Sequence, residues 1–206
     1  MLRNLLVNNK IFFSVLLAFY IVGGFLLMVV PKEAIHLKIN TFHCIGADYF
    51  FRYFTEIGNG VTVGVIAVIL YFFDKRLSAA VGLSALAAGL IVQLLKHFVF
   101  PDMMRPSAVM EHLYLVQGVV MNKMYSFPSG HTATAFAMFS TLVFYFRRKR
   151  LKLLFLLFAM LVGFSRMYLS QHFLVDVYVG SMIGLLFAIV FFVLLFDKRR
   201  ENVEEI

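Results

Sequence analysis

The sequence predicts an all-α, polytopic membrane protein with six transmembrane helices. Hydrophobic residues make up 62% of the 206 residues, the mean hydropathy is +0.88, and charged residues make up only 15%. Soluble domains carry about 45–50% apolar and about 25% charged residues. The apolar residues are gathered in long stretches, and most positive charges lie between the stretches. These observations indicate a single membrane-embedded domain over residues 1–206.

Six apolar stretches have the length, or nearly the length, of a transmembrane helix. About 20 residues at about 1.5 Å each cross the ~30 Å hydrocarbon core. The first stretch exceeds the apolar segment of a cleaved signal peptide, which has about 7–15 residues, so we expect a retained helix. The second, fourth and fifth are short, and their ends must use polar or aromatic residues at the interface, or the bilayer thins there. The predicted helices are 11–30, 61–73, 77–100, 131–146, 153–168 and 173–196.

The distribution of lysine and arginine predicts that both termini face the cytoplasm. In that orientation 12 basic residues lie in inner segments and 7 in outer segments. Membrane proteins carry their excess of positive charge in short cytoplasmic loops. The net charge of +8 therefore reflects topology, and no nucleic-acid partner is expected. The first outer loop, 31–60, includes a mixed segment at 47–54 that we expect to lie in the membrane interface as an amphipathic helix.

Three groups of polar residues fall at the outer ends of the predicted helices. Charged side chains at the centre of a membrane helix cost about 2.5–3.5 kcal/mol each, so their presence needs a reason. Three cations, two histidines and one carboxylate together have the composition of a phosphate site. The groups are Lys96 with Arg105-Pro106, then Pro128-Ser129-Gly130-His131, then Ser165-Arg166 with His172 and Asp176.

His172 and Asp176 are four residues apart at the start of the sixth helix, where such residues share a face. The carboxylate can then accept one imidazole N–H and leave the other nitrogen free to attack. An interfacial histidine beside a capping aspartate is the structural alternative. Asp176 lies within Phe-Leu-Val-Asp-Val-Tyr-Val, where an unpaired carboxylate is costly, and this favours the functional interpretation.

The tetrapeptide that ends in His131 opens the fourth helix, whose N-terminus offers free N–H groups to an anion. Ser129 adds a hydroxyl, Gly130 allows close approach of the backbone, and His131 is placed to act as a general acid. An ordinary helix cap with a loop histidine is the alternative. The three cations could likewise be snorkelling side chains, but three beside two histidines favour a phosphate site.

These residues resemble the type 2 phosphatidic acid phosphatase superfamily. Its pattern has a Lys before Arg-Pro, then Pro-Ser-Gly-His, then Ser-Arg, five residues, His, three residues and Asp. The second and third parts match without a gap, whereas eight residues separate Lys96 from Arg105 where the family usually has six. The resemblance implies a phosphatase that needs no metal or cofactor: His172 attacks phosphorus, Asp176 orients it, and His131 protonates the leaving oxygen. It implies that the phosphate is held by Lys96, Arg105, Arg166, Ser129 and the Gly130 N–H.

The resemblance also implies a lipid substrate, and the distribution of lysine and arginine places the site at the outer face of the membrane. The small size and short loops indicate a bacterial inner membrane. Undecaprenyl pyrophosphate, phosphatidylglycerol phosphate, phosphatidic acid and lipid A phosphates all have the required phosphate on an apolar body. A lipid phosphotransferase of the same family is one alternative, and a membrane transporter is a second. Cys44 is the single cysteine, which excludes an internal disulfide and a cysteine metal site.

Overall fold

The computed structural model describes residues 2–196, and the regular structure in this part of the chain is helical. Helices lie at all six predicted positions. The predicted inner cations Lys198, Arg199 and Arg200 fall outside the described residues. The helices are α1 (Leu2–Asn8), α2 (Lys10–Val29), α3 (Lys32–Asn40), α4 (Ile45–Phe54), α5 (Gly60–Tyr71), α6 (Lys75–Leu94), α7 (Pro106–Val109), α8 (Gly130–Tyr145), α9 (Lys149–Tyr168) and α10 (Leu174–Phe196).

Not all six of the predicted transmembrane helices are long enough in the structure to cross a membrane on their own. By length and composition α2, α6 with its extension to Val99, α9 and α10 could each cross a membrane. The 12-residue α5 qualifies only together with Ile45–Gly58, from which it is bent by 60°. The 16-residue α8 is shorter than a crossing of about 20 residues. Four or five of the predicted crossings thus meet the criteria of length and composition.

Helix α8 forms the centre of the bundle, packed against α6, α9 and α10. Its side chains from Thr132 to Phe144 are buried, as expected for a helix that is apolar on all sides. Gly180 lets α10 approach closely, because a Cβ there would lie 2.6 Å from the Ser129 carbonyl oxygen. The Ser129 N–H donates to the Asp176 carbonyl oxygen at 3.0 Å. The first turns of α8 and α10 are therefore held together.

The segment predicted as an interfacial helix is helical and forms most of α4. Its position in the interface stays a prediction. Within it, the buried Asp48 carboxylate accepts hydrogen bonds from His43 Nδ1 at 2.9 Å, Tyr114 Oη at 2.8 Å and Tyr168 Oη at 2.6 Å. Because Tyr114 belongs to the loop 110–129 and Tyr168 ends α9, Asp48 fixes this loop and α4 against the end of the bundle that carries the polar groups.

Candidate active site

The loop between α9 and α10 presents His172 in a fixed position. The backbone N–H groups of Gln171 and His172 both donate to the Arg166 carbonyl oxygen, at 3.0 and 3.1 Å. His172 Nδ1 lies 3.2 Å from Asp176 Oδ2, so the hydrogen bond expected from the four-residue spacing is present. A carboxylate only accepts, so Nδ1 carries the hydrogen and Nε2 keeps the lone pair. This is the arrangement that a nucleophilic imidazole requires.

A serine that the sequence did not reveal as functional completes this pair. Ser126 Oγ donates to Asp176 Oδ2 at 2.5 Å, and the Phe173 N–H donates to the same oxygen at 3.0 Å. Ser126 is 1% exposed and Asp176 2% exposed. Two donors besides the imidazole therefore stabilise the buried carboxylate in its ionised form. The position of Ser126, two residues before Pro128, is the one sequence signal that could have indicated it.

The surroundings keep His172 neutral. Burial lowers the pKa of its imidazole well below the usual value of 6.5, and the positive charges of Arg166, Arg105 and Lys96 lower it further. At neutral pH the ring thus holds one proton, on Nδ1. Lys96 and Arg105 come from a part of the sequence far from His172, yet both act on its imidazole, as Arg166 does. The folded chain therefore brings these separate sequence groups together.

Arg166 is 7% exposed and incompletely satisfied. Its Nη1 donates to Thr55 Oγ1 at 2.9 Å. Its Nε is buried and has no hydrogen-bond partner among the described residues. A buried guanidinium nitrogen without an acceptor costs free energy, which an anion in the site would offset. Thr55 gave no sequence signal, since it precedes Arg166 by 111 residues.

Arg105 is held by neutral acceptors. Its Nη1 donates to Gln171 Oε1 at 2.5 Å and its Nε to the Met124 carbonyl oxygen at 3.1 Å. Gln171 Nε2 in turn donates to the Val120 carbonyl oxygen at 3.1 Å. Gln171 therefore fixes the guanidinium relative to the loop that carries His172. Gln171 directly precedes His172 in the sequence, but its residue type gave no signal of this role.

Lys96 lies in a π-helical turn, Leu95–Val99, that extends α6. Its side chain is 7% exposed. A π turn holds more residues per turn than an α-helix, so it accommodates part of the longer spacing between Lys96 and Arg105. The turn ends where the Phe100 N–H donates to the Leu95 carbonyl oxygen at 2.8 Å.

The first turn of α8 combines a helix cap with free N–H groups. Ser129 Oγ accepts from Thr132 N at 3.5 Å and from Thr132 Oγ1 at 2.9 Å. Its side chain therefore caps the helix, as the structural alternative predicted. The N–H groups of Gly130 and His131 have no acceptor within residues 2–196. Such groups at a helix N-terminus can bind an anion. Capping by Ser129 does not exclude this, because the capped turn presents its amides to the site.

His131 lines a polar cavity of about 370 Å³ together with Arg166 and Gln171. Gly58 packs on the His131 backbone, since a Cβ there would lie 2.6 Å from the His131 carbonyl oxygen. Within the described part of the chain, no three His, Cys, Asp or Glu side chains are grouped as ligands for a metal ion. His172, Arg105 and Lys96 do not line this cavity, but all three lie close enough to act electrostatically on the His131 imidazole. Cations and imidazoles gathered in this way suit a phosphoryl group.

Known proteins resemble this chain in sequence and in fold. The lipid A 4'-phosphatase of Bacteroides thetaiotaomicron is 30% identical over 159 residues, covering 72% of this chain and 69% of that protein. The crystal structure of Aquifex aeolicus LpxE has a TM-score of 0.69 at 29% identity, over 77% of this chain and 92% of that one. A transmembrane PAP2 type phosphatidylglycerolphosphate phosphatase from Bacillus subtilis shares the fold, with a TM-score of 0.67 at 22% identity over 87% and 93% of the two chains. Residues 77–200 match the PAP2 superfamily, and the chain belongs to it.

Proposed function

We propose that this chain is a metal-independent membrane phosphatase that removes a phosphate from a lipid through a phosphohistidine intermediate. The observation that carries the proposal is the neutral, Asp176-bound His172 beside three buried cations. One of these, Arg166, has a buried nitrogen with no acceptor among residues 2–196. A site that keeps a nucleophile neutral and its cations unpaired is suited to attack on a bound phosphate.

In the first step His172 Nε2 attacks phosphorus as the bond from phosphorus to the lipid oxygen breaks. His131 gives a proton to that oxygen, and the lipid leaves as an alcohol or, from a pyrophosphate, as a monophosphate. In the second step His131 takes a proton from water, whose oxygen attacks phosphorus and breaks the bond to Nε2. Phosphate leaves and both imidazoles return to their starting states. Arg105, Arg166 and Lys96 stabilise the charge on the transferring group.

The relatives order the candidate substrates. A lipid A phosphate comes first, because a lipid A 4'-phosphatase is 30% identical over 159 residues. Phosphatidylglycerol phosphate, phosphatidic acid and undecaprenyl pyrophosphate complete the panel. Purified protein in detergent should release phosphate from at least one of these lipids, in chelator as well as without it. Activity that disappears in chelator and returns with magnesium would contradict the metal-independent mechanism.

The same assay separates the phosphotransferase alternative. A phosphotransferase would move labelled phosphate from a lipid donor to a lipid acceptor and release little to water. A transporter would need charged side chains near the middle of several helices. Here the cations and imidazoles gather at the ends of α6, α8, α9 and α10, an arrangement that supports an enzyme.

We propose that the site faces the periplasmic or extracellular side of a bacterial inner membrane. The test uses a Cys44→Ser background, because the native cysteine is exposed. A cysteine at Glu111, whose side chain is 92% exposed, should react with a membrane-impermeant thiol reagent in intact cells. A cysteine at Lys149, at the opposite end of α9, should react only after lysis. The reverse pattern would overturn the orientation without affecting the assignment of the chemistry.

A further inference from the structure

The turn that carries His172 has a serine at a position that usually takes glycine. The Ser170 N–H donates to the Met167 carbonyl oxygen and the Gln171 N–H to the Arg166 carbonyl oxygen, each at 3.0 Å. This pair of hydrogen bonds is the Schellman motif, which ends a helix with one left-handed residue. Ser170 is that residue, with a φ of 52°. The left-handed conformation costs free energy in a residue that has a Cβ, so we expect a neighbour to hold Ser170 in place.

The neighbour that holds Ser170 is His36 on α3. His36 Nε2 and Ser170 Oγ are 3.1 Å apart, although 134 residues separate them in the sequence. His36 is 2% exposed and Ser170 is 0% exposed, so water does not compete for this hydrogen bond. The His36 ring also meets the Phe173 ring edge to face, with the centroids 5.5 Å apart. His36 therefore contacts the residue two before His172 and the residue one after it.

Phe173 connects α3 to the carboxylate as well. The Phe173 N–H donates to Asp176 Oδ2 at 3.0 Å, and the same oxygen lies 3.2 Å from His172 Nδ1. Lys32, one turn before His36 on α3, lies over the Phe173 ring with its Nζ 4.7 Å from the centroid. Helix α3 thus packs against the short segment that holds the candidate nucleophile and the backbone donor of its carboxylate partner.

We propose that His36 is a positioning residue, whose hydrogen bond to Ser170 holds the turn after α9 in the conformation that places His172 for attack. Without this bond the turn would relax from the left-handed conformation. The N–H groups of Gln171 and His172 would then lose the Arg166 carbonyl oxygen, which both now share. A small displacement of a nucleophile lowers the rate of attack. The inference rests on the proposed phosphohistidine mechanism.

Substitutions at position 170 separate positioning from packing. Glycine adopts the left-handed conformation without a partner, so Ser170→Gly should restore the turn in a His36→Ala background. It restores none of the packing that is lost with the imidazole. Ser170→Ala also removes the hydroxyl but keeps a Cβ, so it should behave like His36→Ala. The effects of His36→Ala and Ser170→Ala should not add, because both remove the same hydrogen bond.

The kinetic test compares the wild type, His36→Ala, Ser170→Gly and the double variant on phosphatidic acid and on a lipid A phosphate in detergent micelles. His36→Ala should lower kcat roughly tenfold with little change in KM, a factor that corresponds to the usual cost of one left-handed residue. The double variant should return to within about twofold of Ser170→Gly alone. A kcat that stays low in the double variant, or one that does not fall in His36→Ala, would overturn the proposal.

Ile39→Ala is the matched control for the packing of α3. Ile39 lies on the same helix and is partly buried. It packs against an apolar cluster formed by Met167, Leu174 and Val177. Ile39→Ala should therefore lower the melting temperature and leave kcat close to the wild-type value. A fall in kcat equal to that of His36→Ala would show that any loss of packing on α3 has this effect, and would contradict a specific role for His36.

Hydrogen exchange gives a second readout that does not need turnover. In His36→Ala the amides of Gln171 and His172 should exchange faster than in the wild type, and the double variant should return them to the wild-type rate. Unchanged exchange would overturn the proposal. If His36→Ala does not fold, the pair Ser170→Ala and Ser170→Gly gives the same comparison with the imidazole in place. If the wild type releases phosphate from neither lipid, the proposed function fails for these substrates, and exchange still decides whether His36 holds the turn.

Discussion

Replacement of Ser126 by alanine should slow the reaction without weakening the binding of substrate. Ser126 is 1% exposed and its hydroxyl is bonded to Asp176, so the proposed mechanism gives it no role in holding the phosphate. Its hydroxyl makes the shortest of the three hydrogen bonds to Asp176 Oδ2, at 2.5 Å compared with 3.0 Å from Phe173 and 3.2 Å from His172. Ser126→Ala therefore acts on the carboxylate that orients the proposed nucleophile, His172.

The size of the effect follows from the charge that develops on His172. In the proposed mechanism the imidazole becomes cationic as Nε2 bonds to phosphorus, so an ionised Asp176 stabilises the transition state more than the ground state. A hydrogen bond to a charged group contributes about 1.5–3 kcal/mol. If this contribution is expressed in the transition state, kcat should fall roughly 10- to 100-fold, since 1.36 kcal/mol is a factor of ten. KM should change little.

Ser107→Ala is the matched control. Ser107 lies on α7, and its hydroxyl is buried with no hydrogen-bond partner among the described residues. Its removal should leave kcat and KM close to the wild-type values. Steady-state kinetics and melting temperature in the same detergent are measured for both variants. A kcat for Ser126→Ala within about twofold of the control, or a raised KM with unchanged kcat, would show that Ser126 does not position the nucleophile.

Three further outcomes are expected. His172→Ala should have below ~1% of wild-type activity while still inserting in the membrane, and labelled substrate should form an acid-labile phosphoenzyme in the wild type alone. Because burial and the cations lower the pKa of His172 well below 6.5, kcat/KM should persist at pH 6.5 and decline only as pH falls through the lowered value; a decline centred at or above 6.5 would contradict this. Burial also lowers the pKa of His36 from 6.5 to about 4. As the pH drops below 6.5, the unfolded chain therefore binds a proton at His36 before the folded chain does. The free energy of unfolding should fall by up to about 3 kcal/mol between pH 6.5 and pH 4. Urea unfolding of His36→Gln should lack much of this pH dependence, whereas the exposed-site control His112→Asn should keep it.

The helices could be placed from the sequence because the length of an apolar stretch is a local property. The length of an apolar stretch does not show which helix lies at the centre of the bundle. Helix α8 is enclosed by α6, α9 and α10, so its 16 residues need not match the thickness of the bilayer. The bend of 60° between Ile45–Gly58 and α5 likewise depends on packing, here of Gly58 against His131.

In the candidate site, too, local features could be predicted from the sequence and contacts between distant segments could not. The spacing of His172 and Asp176 placed two side chains on one helical face, and the structure has the hydrogen bond between them. Partners that come from distant segments had no such signal. Thr55 accepts a hydrogen bond from Arg166, which follows it by 111 residues. Ser126 donates to Asp176, which follows it by 50 residues. Only the folded chain brings these pairs together.

The way in which the cations are held explains how a buried site can stay ready for an anion. Arg105 and Arg166 donate to neutral oxygens, those of Met124, Gln171 and Thr55. Among residues 2–196 neither guanidinium has a carboxylate within salt-bridge distance. Neutral acceptors fix the geometry of a guanidinium but leave its charge uncompensated, whereas a carboxylate would neutralise it. Two carboxylates lie nearby. Asp176 is occupied by its own three donors, and Glu56, which lines the polar cavity with Arg166, accepts from Asn59 Nδ2. Neither forms a salt bridge with the two guanidinium groups, so positive charge remains available to the phosphoryl group of the proposed reaction.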